Sequence, residues 1–283
     1  MSFEDIVVHW IGGRIAERIA RARPLVVGVH GPQGAGKSTL CERVVAGLAA
    51  IGRRAASVSI DDFYLTHAEQ RALAAAHPGN PCLEPRGYPG THDLALGEAT
   101  LAALVDTAPS EVAVPLYDKS AHGGRGDRAP RSRWRSVSTP LDAVLLEGWM
   151  LAFRPVDEDG VPADLRAPNR LLAGYARWQR YLDALVLLPV EGGDLDQIVR
   201  WRVDSERARR AAGAPGLSDE EAHDYVSRFL PAYRLWTPTL ERDTAQSVPT
   251  LSITLGPDRQ ARTVVDLPAW EGTARLARDA RAS

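Results

Sequence analysis

Phosphate binding is the chemistry best supported by a single segment, Gly31-Pro32-Gln33-Gly34-Ala35-Gly36-Lys37-Ser38, which fits the pattern G-x-x-x-x-G-K-[ST] at every fixed position. Glycines let the backbone turn so that several N–H groups point at one anion. Lys37 can reach terminal phosphates, and the Ser38 hydroxyl can hold a magnesium ion. The residues expected to bind the nucleotide are Gly31, Gln33, Gly34, Ala35, Gly36, Lys37, Ser38 and Thr39.

The two segments that flank this loop argue against a chance glycine-rich turn. The apolar run Leu25-Val26-Val27-Gly28-Val29 has the composition of a buried parallel strand. After the loop, Leu40, Val44 and Leu48 recur at helical spacing. Strand, loop and helix therefore follow in the required order, and the helix N-terminus adds its own attraction for phosphate.

Carboxylates follow two further predicted strands. Asp61 and Asp62 come after residues 55–60, and Glu147 comes after residues 143–146. Because ligands of open α/β sheets bind at the carboxyl ends of the strands, these groups should meet the loop on one rim. There a carboxylate can accept a proton from an attacking hydroxyl, or hold magnesium directly or through water. The alternatives are a turn or helix cap for the aspartates and a surface carboxylate for Glu147.

Two basic segments could contact anions. The cations between residues 118 and 135 are Lys119, Arg125, Arg128, Arg131, Arg133 and Arg135. A glycine-interrupted loop of this kind can wrap an anionic substrate or the phosphates, and the alternative is a solvated charged loop. Arg200 and Arg202 lie on a predicted helix, where an arginine could cover a moving phosphoryl group. The alternative there is an amphipathic helix whose arginines face water.

An alternation of strands and helices is predicted to position these residues. The predicted strands are residues 25–29, 55–60, 112–117, 143–146, 184–188 and 250–255. The predicted helices lie within residues 1–22, 38–50, 66–76, 93–105, 169–182, 195–212 and 218–233. This order predicts an α/β, P-loop NTPase-type three-layer fold with a mainly parallel central sheet, long substrate loops and a helical lid. We expect the loops at residues 78–91 and 118–135, in a single domain with a core of residues 23–255 and a tail of residues 256–283.

The composition favours a globular protein of the cytoplasm. The chain has 283 residues and a net charge of −2, with no basic surplus that would indicate a nucleic-acid partner. Cys41 and Cys82 offer neither a disulfide framework nor metal-ligand spacing. Charged residues interrupt the N-terminus, so we expect no signal peptide, and no apolar run approaches the ~20 residues of a membrane span. The oligomeric state stays open.

Several segments resemble known kinases. Ser59-Ile60-Asp61-Asp62-Phe63-Tyr64 resembles the strand-end motif of the uridine kinase and phosphoribulokinase superfamily of P-loop kinases. The chain is more closely similar to plant-type D-glycerate 3-kinase and its bacterial and fungal relatives. The segments that carry this similarity are Pro85 to Asp93, Tyr117 to Ala121, Gly124 to Arg128, Glu147 to Leu151 and Tyr225 to Tyr233. The resemblance covers about residues 25–242.

The resemblance implies an ATP-dependent small-molecule kinase that uses Mg²⁺ and phosphorylates D-glycerate to 3-phosphoglycerate. It implies catalytic roles for Lys37, for Asp61 as the base, for Glu147 with Ser38 at the metal, and for Arg200 or Arg202 as the lid arginine. The residues expected around the acceptor are Asp62, Tyr64, Arg86, His92, Asp93, Tyr117, Lys119, Arg125 and Arg128.

Two other functions stay open. One is a P-loop kinase of another alcohol, a nucleoside or a pantothenate-like compound, because Phe63, Tyr64, Tyr88 and Tyr117 could stack on a base. The other is an NTP-binding regulatory module, against which the Asp61-Asp62 pair argues, since a switch needs no base for an acceptor alcohol.

Overall fold

The computed structural model describes residues 2–17, 23–214, 216–245 and 248–268. Its α-helices are α1 (Phe3–Glu17), α2 (Lys37–Ala50), α3 (His67–Ala76), α4 (Leu94–Leu104), α5 (Ala163–Leu172), α6 (Ala176–Gln179), α7 (Leu195–Ala211), α8 (Asp219–Ser227) and α9 (Leu230–Ala245). Its strands are β1 (Leu25–His30), β2 (Ala55–Ser59), β3 (Glu111–Val114), β4 (Tyr117–Asp118), β5 (Asp127–Arg128), β6 (Arg135–Ser138), β7 (Ala143–Gly148), β8 (Ala184–Leu187), β9 (Thr250–Leu255) and β10 (Ala261–Leu267).

The central sheet has the strand order β10-β9-β8-β1-β7-β2. Strands β2, β7, β1, β8 and β9 run parallel, and β10 pairs antiparallel with β9 at the edge. Strands β1 and β7 are buried along their whole length, which explains why they read as continuous apolar runs. The mainly parallel sheet confirms the predicted α/β fold.

Two apolar clusters cover the two faces of the sheet and make the three layers. On one face, α1 and α2 pack through residues such as Ile11 and Val44 against Val27 and Val186. On the other face, aromatic side chains such as Trp178 and Trp236 pack in one cluster with the sheet residue Leu146. Packing on both faces therefore holds the sheet in place, and the carboxyl ends of its parallel strands are fixed relative to one another.

Two of the predicted helices are broken in the structure. The predicted helix 169–182 is α5, a 3₁₀ turn at Ala173–Tyr175 and the short α6. Helix α5 begins before Pro168 and contains it, although we placed the helix start after that proline. Burial of α5 against the core offsets the hydrogen bond that a proline removes. The predicted helix 218–233 ends at Ser227 and α9 begins at Leu230, and Phe229 in the turn between them is buried.

The two ends of the chain and the second long loop also differ from expectation. Strand β3 pairs with β6 outside the central sheet, and the predicted loop 118–135 contains the small β4–β5 ladder. The expected tail contributes the edge strand β10, and its residues 269–283 lie outside the described residues. Residues 1 and 18–22 of the predicted first helix also lie outside the described residues. Among the described residues, no helix combines the length and apolar character needed to cross a membrane.

Candidate active site

The loop between β1 and α2 has a left-handed backbone that glycine adopts without strain. Gly34 has φ 77° and Gly36 has φ 87°. A Cβ atom on Gly34 would lie 2.7 Å from the backbone of Trp201 in α7, which is too close for packed atoms. Glycine at position 34 therefore serves two needs, the curl of the loop and the close approach of α7.

Lys37 at the start of α2 is held over this loop by the protein itself. Its side chain is buried, and Nζ donates to the carbonyl oxygen of Pro32 at 2.9 Å. Burial lowers the pKa of the Lys37 ammonium, while the charges of Glu147 and Asp61 oppose that shift. The ammonium thus sits among carboxylates at the place where phosphate would bind.

Two residues outside the predicted site, Tyr233 and Arg259, support the loop. The Tyr233 hydroxyl donates to Gln33 Oε1 at 2.5 Å and accepts from the Gln33 amide at 3.2 Å. Arg259, in the turn between β9 and β10, donates through Nε to the carbonyl oxygen of Gly34 at 2.7 Å. Tyr233 lies in a segment that carries the family resemblance, whereas Arg259 lies in the expected tail and had no signal.

Strand register brings the predicted carboxylates to the rim of the loop. Glu147 in β7 stands opposite Val29 in β1 and Ser59 in β2. The Ser38 hydroxyl donates to Glu147 Oε1 at 2.8 Å, and Glu147 is buried. A hydroxyl and a carboxylate oxygen side by side are hard ligands of the kind that Mg²⁺ takes together with phosphate and water oxygens.

Asp61 is paired with Lys119 at the same rim. Lys119 Nζ donates to Asp61 Oδ2 at 2.6 Å, which joins the second long loop to the end of β2. Burial alone would raise the pKa of Asp61, but the Lys119 ammonium and the neighbouring Tyr64 hydroxyl hold it well below its ordinary value. In turn, the carboxylate raises the pKa of Lys119. Asp61 is therefore ionised and fixed in position.

Asp62 turns away from the site, although we expected it near the acceptor. Its Oδ2 accepts from the Ser59 amide at 3.2 Å and caps the 3₁₀ turn Ile60–Phe63. Burial raises the pKa of Asp62 to about 6, the Ser59 hydrogen bond opposes this, and the charge of Asp61 adds to it. A turn or helix cap was the alternative role for both aspartates. The structure assigns that role to Asp62 and not to Asp61.

Arg86 joins the two long loops. Its NH1 donates to the carbonyl oxygen of Gly124 at 2.7 Å, and its NH2 donates to that of Lys119 at 3.3 Å. The guanidinium lies 5.5 Å from the centre of the Tyr117 ring. The terminal nitrogens that we expected to meet an acceptor therefore hold the backbone that carries Lys119.

Arg128 and Asp93 likewise serve the loops. Arg128 NH2 donates to Asp93 Oδ2 and to the carbonyl oxygen of Tyr64, both at 3.1 Å. Asp93 Oδ1 caps α4 by accepting from the Leu96 amide at 2.9 Å. Arg125, by contrast, is exposed at the tip of the second loop. The structure thus assigns Arg128 and Asp93 contacts within the protein and leaves Arg125 at the surface.

Three aromatic rings form a wall beside Asp61. Tyr64 stacks on His92 with ring centres 4.4 Å apart and meets Tyr117 edge-on at 5.2 Å. All three side chains are buried. Burial lowers the pKa of His92 to about 3, against the charge of Asp61, so the imidazole is neutral. The wall places a buried imidazole and buried phenol rings next to Asp61, whose own side chain is partly exposed.

The two candidate lid arginines of α7 have different environments. Arg202 pairs with Glu206 at 2.5 Å, and its guanidinium lies 4.9 Å from the centre of the Tyr225 ring. Arg200 instead pairs with Asp194 at 2.5 Å and donates to Gln197, near the start of the helix. The structure brings Arg202, and not Arg200, to the site.

One cavity of about 240 Å³ brings together part of the predicted site, whereas Tyr64, Arg86, His92, Tyr117 and Arg128 do not line it. Its lining is Gln33, Gly34, Gly36, Lys37, Ser38, Thr39, Asp61, Lys119, Glu147, Gly148, Trp149, Arg202 and Ser205. Gly31 packs on Leu188 and Ala35 is buried, so these two residues of the expected set lie behind the lining. Trp149 and Ser205 were not expected, although Trp149 directly follows the Glu147-Gly148 pair.

Comparison with known proteins places the chain among kinases, although no protein-family model matches it. It is 44% identical over 223 residues to the chloroplastic D-glycerate 3-kinase of Arabidopsis thaliana, covering 77% of this chain and 48% of that protein, about half its length. It is 36% identical over 250 residues to the uncharacterized kinase mug58 of Schizosaccharomyces pombe, covering 84% and 90% of the two chains. The solved structure of D-glycerate 3-kinase from Cryptococcus neoformans var. grubii superimposes with a TM-score of 0.82 at 27% identity, covering 94% of this chain and 99% of that one.

Proposed function

This chain belongs to the family of P-loop kinases that includes D-glycerate 3-kinase, and we propose that it transfers the γ-phosphoryl group of ATP to the 3-hydroxyl of D-glycerate. The observation that carries this proposal is the position of Asp61. An ionised carboxylate, fixed by Lys119 at 2.6 Å, lines the same cavity as Lys37, Ser38 and Glu147. A nucleotide switch needs no such base, whereas an alcohol kinase does.

The phosphate end of the cavity holds ATP in this proposal. The amides of Gly34 and Gly36 and the Lys37 ammonium bind the β- and γ-phosphates. Ser38 and Glu147 would hold Mg²⁺, which supplies neutralisation of the charge that develops on those phosphates. Arg202 lies in the same lining, where it can stabilise the transferring group.

The acceptor end supplies the proton acceptor. The 3-hydroxyl oxygen of glycerate forms a bond to the γ-phosphorus while the bond to the β–γ bridging oxygen breaks. The hydroxyl proton passes to Asp61, and the electron pair of the broken bond leaves with ADP. Lys119 offers three N–H donors, of which Asp61 takes one, so donors remain for an acidic acceptor.

A substrate panel tests this function. Purified protein with MgATP should form ADP faster when D-glycerate is added, and the product should co-migrate with 3-phosphoglycerate and not with 2-phosphoglycerate. The Lys37→Ala variant serves as the control for contaminating kinases. Since Lys37 faces the cavity, this variant should melt near the wild-type temperature and lose transfer by about 10²–10³-fold or more.

Other outcomes identify the alternatives. Stimulation by uridine or pantothenate without stimulation by glycerate would make the protein a kinase of another alcohol. ATP hydrolysis that no acceptor accelerates would indicate a regulatory module. Either result overturns the proposed acceptor.

A further inference from the structure

Four buried polar atoms without a hydrogen-bond partner belong to residues of the aromatic wall or to arginines that contact it, in the part of the chain that the structure describes. They are Arg86 Nε, His92 Nε2, Tyr117 OH and Arg128 Nε. Buried polar groups are almost always paired, so a cluster of unpaired ones calls for a partner from outside the protein, such as water, an ion or a ligand. The two arginine atoms are N–H donors in charged groups, and the hydroxyl can donate as well.

The protonation of the fourth atom follows from Tyr175. The Tyr175 hydroxyl accepts from the Gly90 amide at 3.0 Å and lies 2.7 Å from His92 Nδ1. If Tyr175 donates to Nδ1, both its lone pair and its proton are used, and only His92 Nε2–H stays unpaired. If His92 donated instead, the Tyr175 proton and the Nε2 lone pair would both be buried without partners. The first arrangement costs less, because each unpaired buried group is unfavourable.

The surroundings of both residues keep this arrangement in place. His92 and Tyr175 are 4% and 2% exposed, and their rings meet edge-on at 5.6 Å. Burial raises the pKa of the Tyr175 hydroxyl, so it keeps its proton. A backbone bridge between Tyr64 and His92 and the stacking of their rings fix the imidazole beside the Tyr64 hydroxyl and Asp61.

We propose that Tyr175 holds His92 as the neutral Nε2–H tautomer, and that this N–H, with the unpaired donors of Arg86 and Arg128, binds the carboxylate of a small acidic acceptor beside Asp61. The inference rests on the proposed function and deepens it, because a set of unpaired donors selects a hydroxy acid over a neutral polyol or nucleoside. A carboxylate has only acceptor sites, which this set of donors satisfies. Tyr175 is then a positioning residue, and His92 is a residue that determines specificity.

The tautomer can be measured directly on the free protein. In ¹⁵N-histidine-labelled protein, His92 should show an unprotonated Nδ1 and a protonated Nε2, and the His92→Gln spectrum identifies its signals among the seven histidines. Addition of D-glycerate should shift the Nε2 signal. A proton on Nδ1, or an Nε2 signal indifferent to a substrate that the enzyme phosphorylates, overturns the inference. An enzyme inactive on glycerate is a separate result, which refutes the proposed function.

Kinetics test the role of Tyr175. The Tyr175→Phe variant should raise KM for D-glycerate by about tenfold, the order expected when a bound hydrogen-bond donor to a charged group is lost. Its kcat and its KM for ATP should change less than about twofold, because the variant removes only a contribution to acceptor binding. Tyr181→Phe is the matched control, since its half-buried ring packs near Arg180 away from the cavity.

A double-mutant cycle separates positioning from packing. His92→Gln keeps a side-chain N–H donor and has no tautomer, so Tyr175→Phe should change the KM for glycerate little in that background. An equal rise in both backgrounds would show that Tyr175 only packs, and no rise in either would remove it from the site. If Tyr175→Phe does not fold, the KM for glycerate is compared between His92→Leu and His92→Gln. Only the leucine variant lacks a side-chain N–H donor, so only that variant should lose glycerate affinity.

Discussion

The phosphate end and the acceptor end of the cavity are built in different ways. The phosphate end uses consecutive residues from Gly34 to Thr39, to which Glu147 adds one strand end. The acceptor end takes Asp61 and Lys119 from segments far apart in the sequence, and the aromatic wall beside Asp61 is not part of the lining. There, side chains such as Arg86 bind the backbone of another loop, 38 residues away in the case of Gly124. Phosphate binding thus depends on local backbone conformation, and acceptor binding depends on contacts between segments.

Because of this difference, variants at the two ends should change different kinetic constants. Variants of the phosphate end should change ATP binding and transfer together, since one short loop serves both. Variants of the acceptor end should leave the KM for ATP near its original value, because the loop is held independently by Tyr233 and Arg259.

The largest effect at the acceptor end is expected at Asp61. Asp61→Asn keeps the size of the side chain and removes the proton acceptor, so kcat should fall by about 10²–10⁴-fold. The KM for ATP should change little, which steady-state kinetics at several ATP concentrations will show. A parallel loss of ATP affinity would contradict the separation of the two ends, since Asp61 would then act mainly on the phosphates.

A smaller loss is expected at Arg202, on the helix between the two ends. Removal of one donor from a developing charge costs about 10²–10³-fold in kcat, and Arg202→Ala should fall in that range. Arg200→Ala is the matched control and should stay within about threefold of wild type, as variants outside a site do. Because Glu206 is buried and loses its partner in the alanine variant, Arg202→Lys is needed beside it. The opposite ranking of the two arginines would show that α7 shifts when ATP binds.

Sequence patterns predicted the phosphate end closely for a physical reason. The glycines, the lysine and the flanking strand and helix form one contiguous unit whose conformation depends on near neighbours. The predicted strand 25–29 and helix 38–50 accordingly match β1 and α2 within one residue at each end. Asp61 and Glu147 were also placed correctly on the rim, because the alternation of strands and helices determines which strand ends meet.

The acceptor end could be predicted only as a set of residue types. A guanidinium satisfies a substrate carboxylate and a backbone carbonyl equally well, so the sequence could not show that Arg86 and Arg128 hold loops. The residue types alone left a capping role open to both aspartates, and the family resemblance favoured Asp61 as the base. The capping bond from the Ser59 amide to Asp62 is a contact that only the structure shows. Tyr175 lies within the predicted helix 169–182, and that pattern does not indicate its hydrogen bond to His92, 83 residues away.

The smallest expected effect separates the two neighbouring carboxylates. Asp62→Asn keeps an oxygen that can accept from the Ser59 amide and removes the charge, so kcat should stay within about twofold of wild type. The variant therefore tests whether Asp62 belongs to the fold and Asp61 to the reaction. A kcat lower than that of Asp61→Asn would reverse the assignment of the base.

The pH dependence of stability gives this test a second readout. The folded protein raises the pKa of Asp62 from its ordinary 3.8 to about 6, chiefly through burial. Between these values the folded state binds more protons than the unfolded state at this group, so its contribution to the free energy of unfolding falls as pH rises. Asparagine does not titrate, and the variant should lose this decline. The free energy of unfolding of Asp62→Asn minus that of wild type should therefore rise from about pH 4 to about pH 6. Above about pH 6 this difference should stay constant, and urea unfolding at a series of pH values will measure it. A difference that does not change with pH would mean that Asp62 is ionised in the folded protein throughout, and that its cap is made by a fully charged carboxylate.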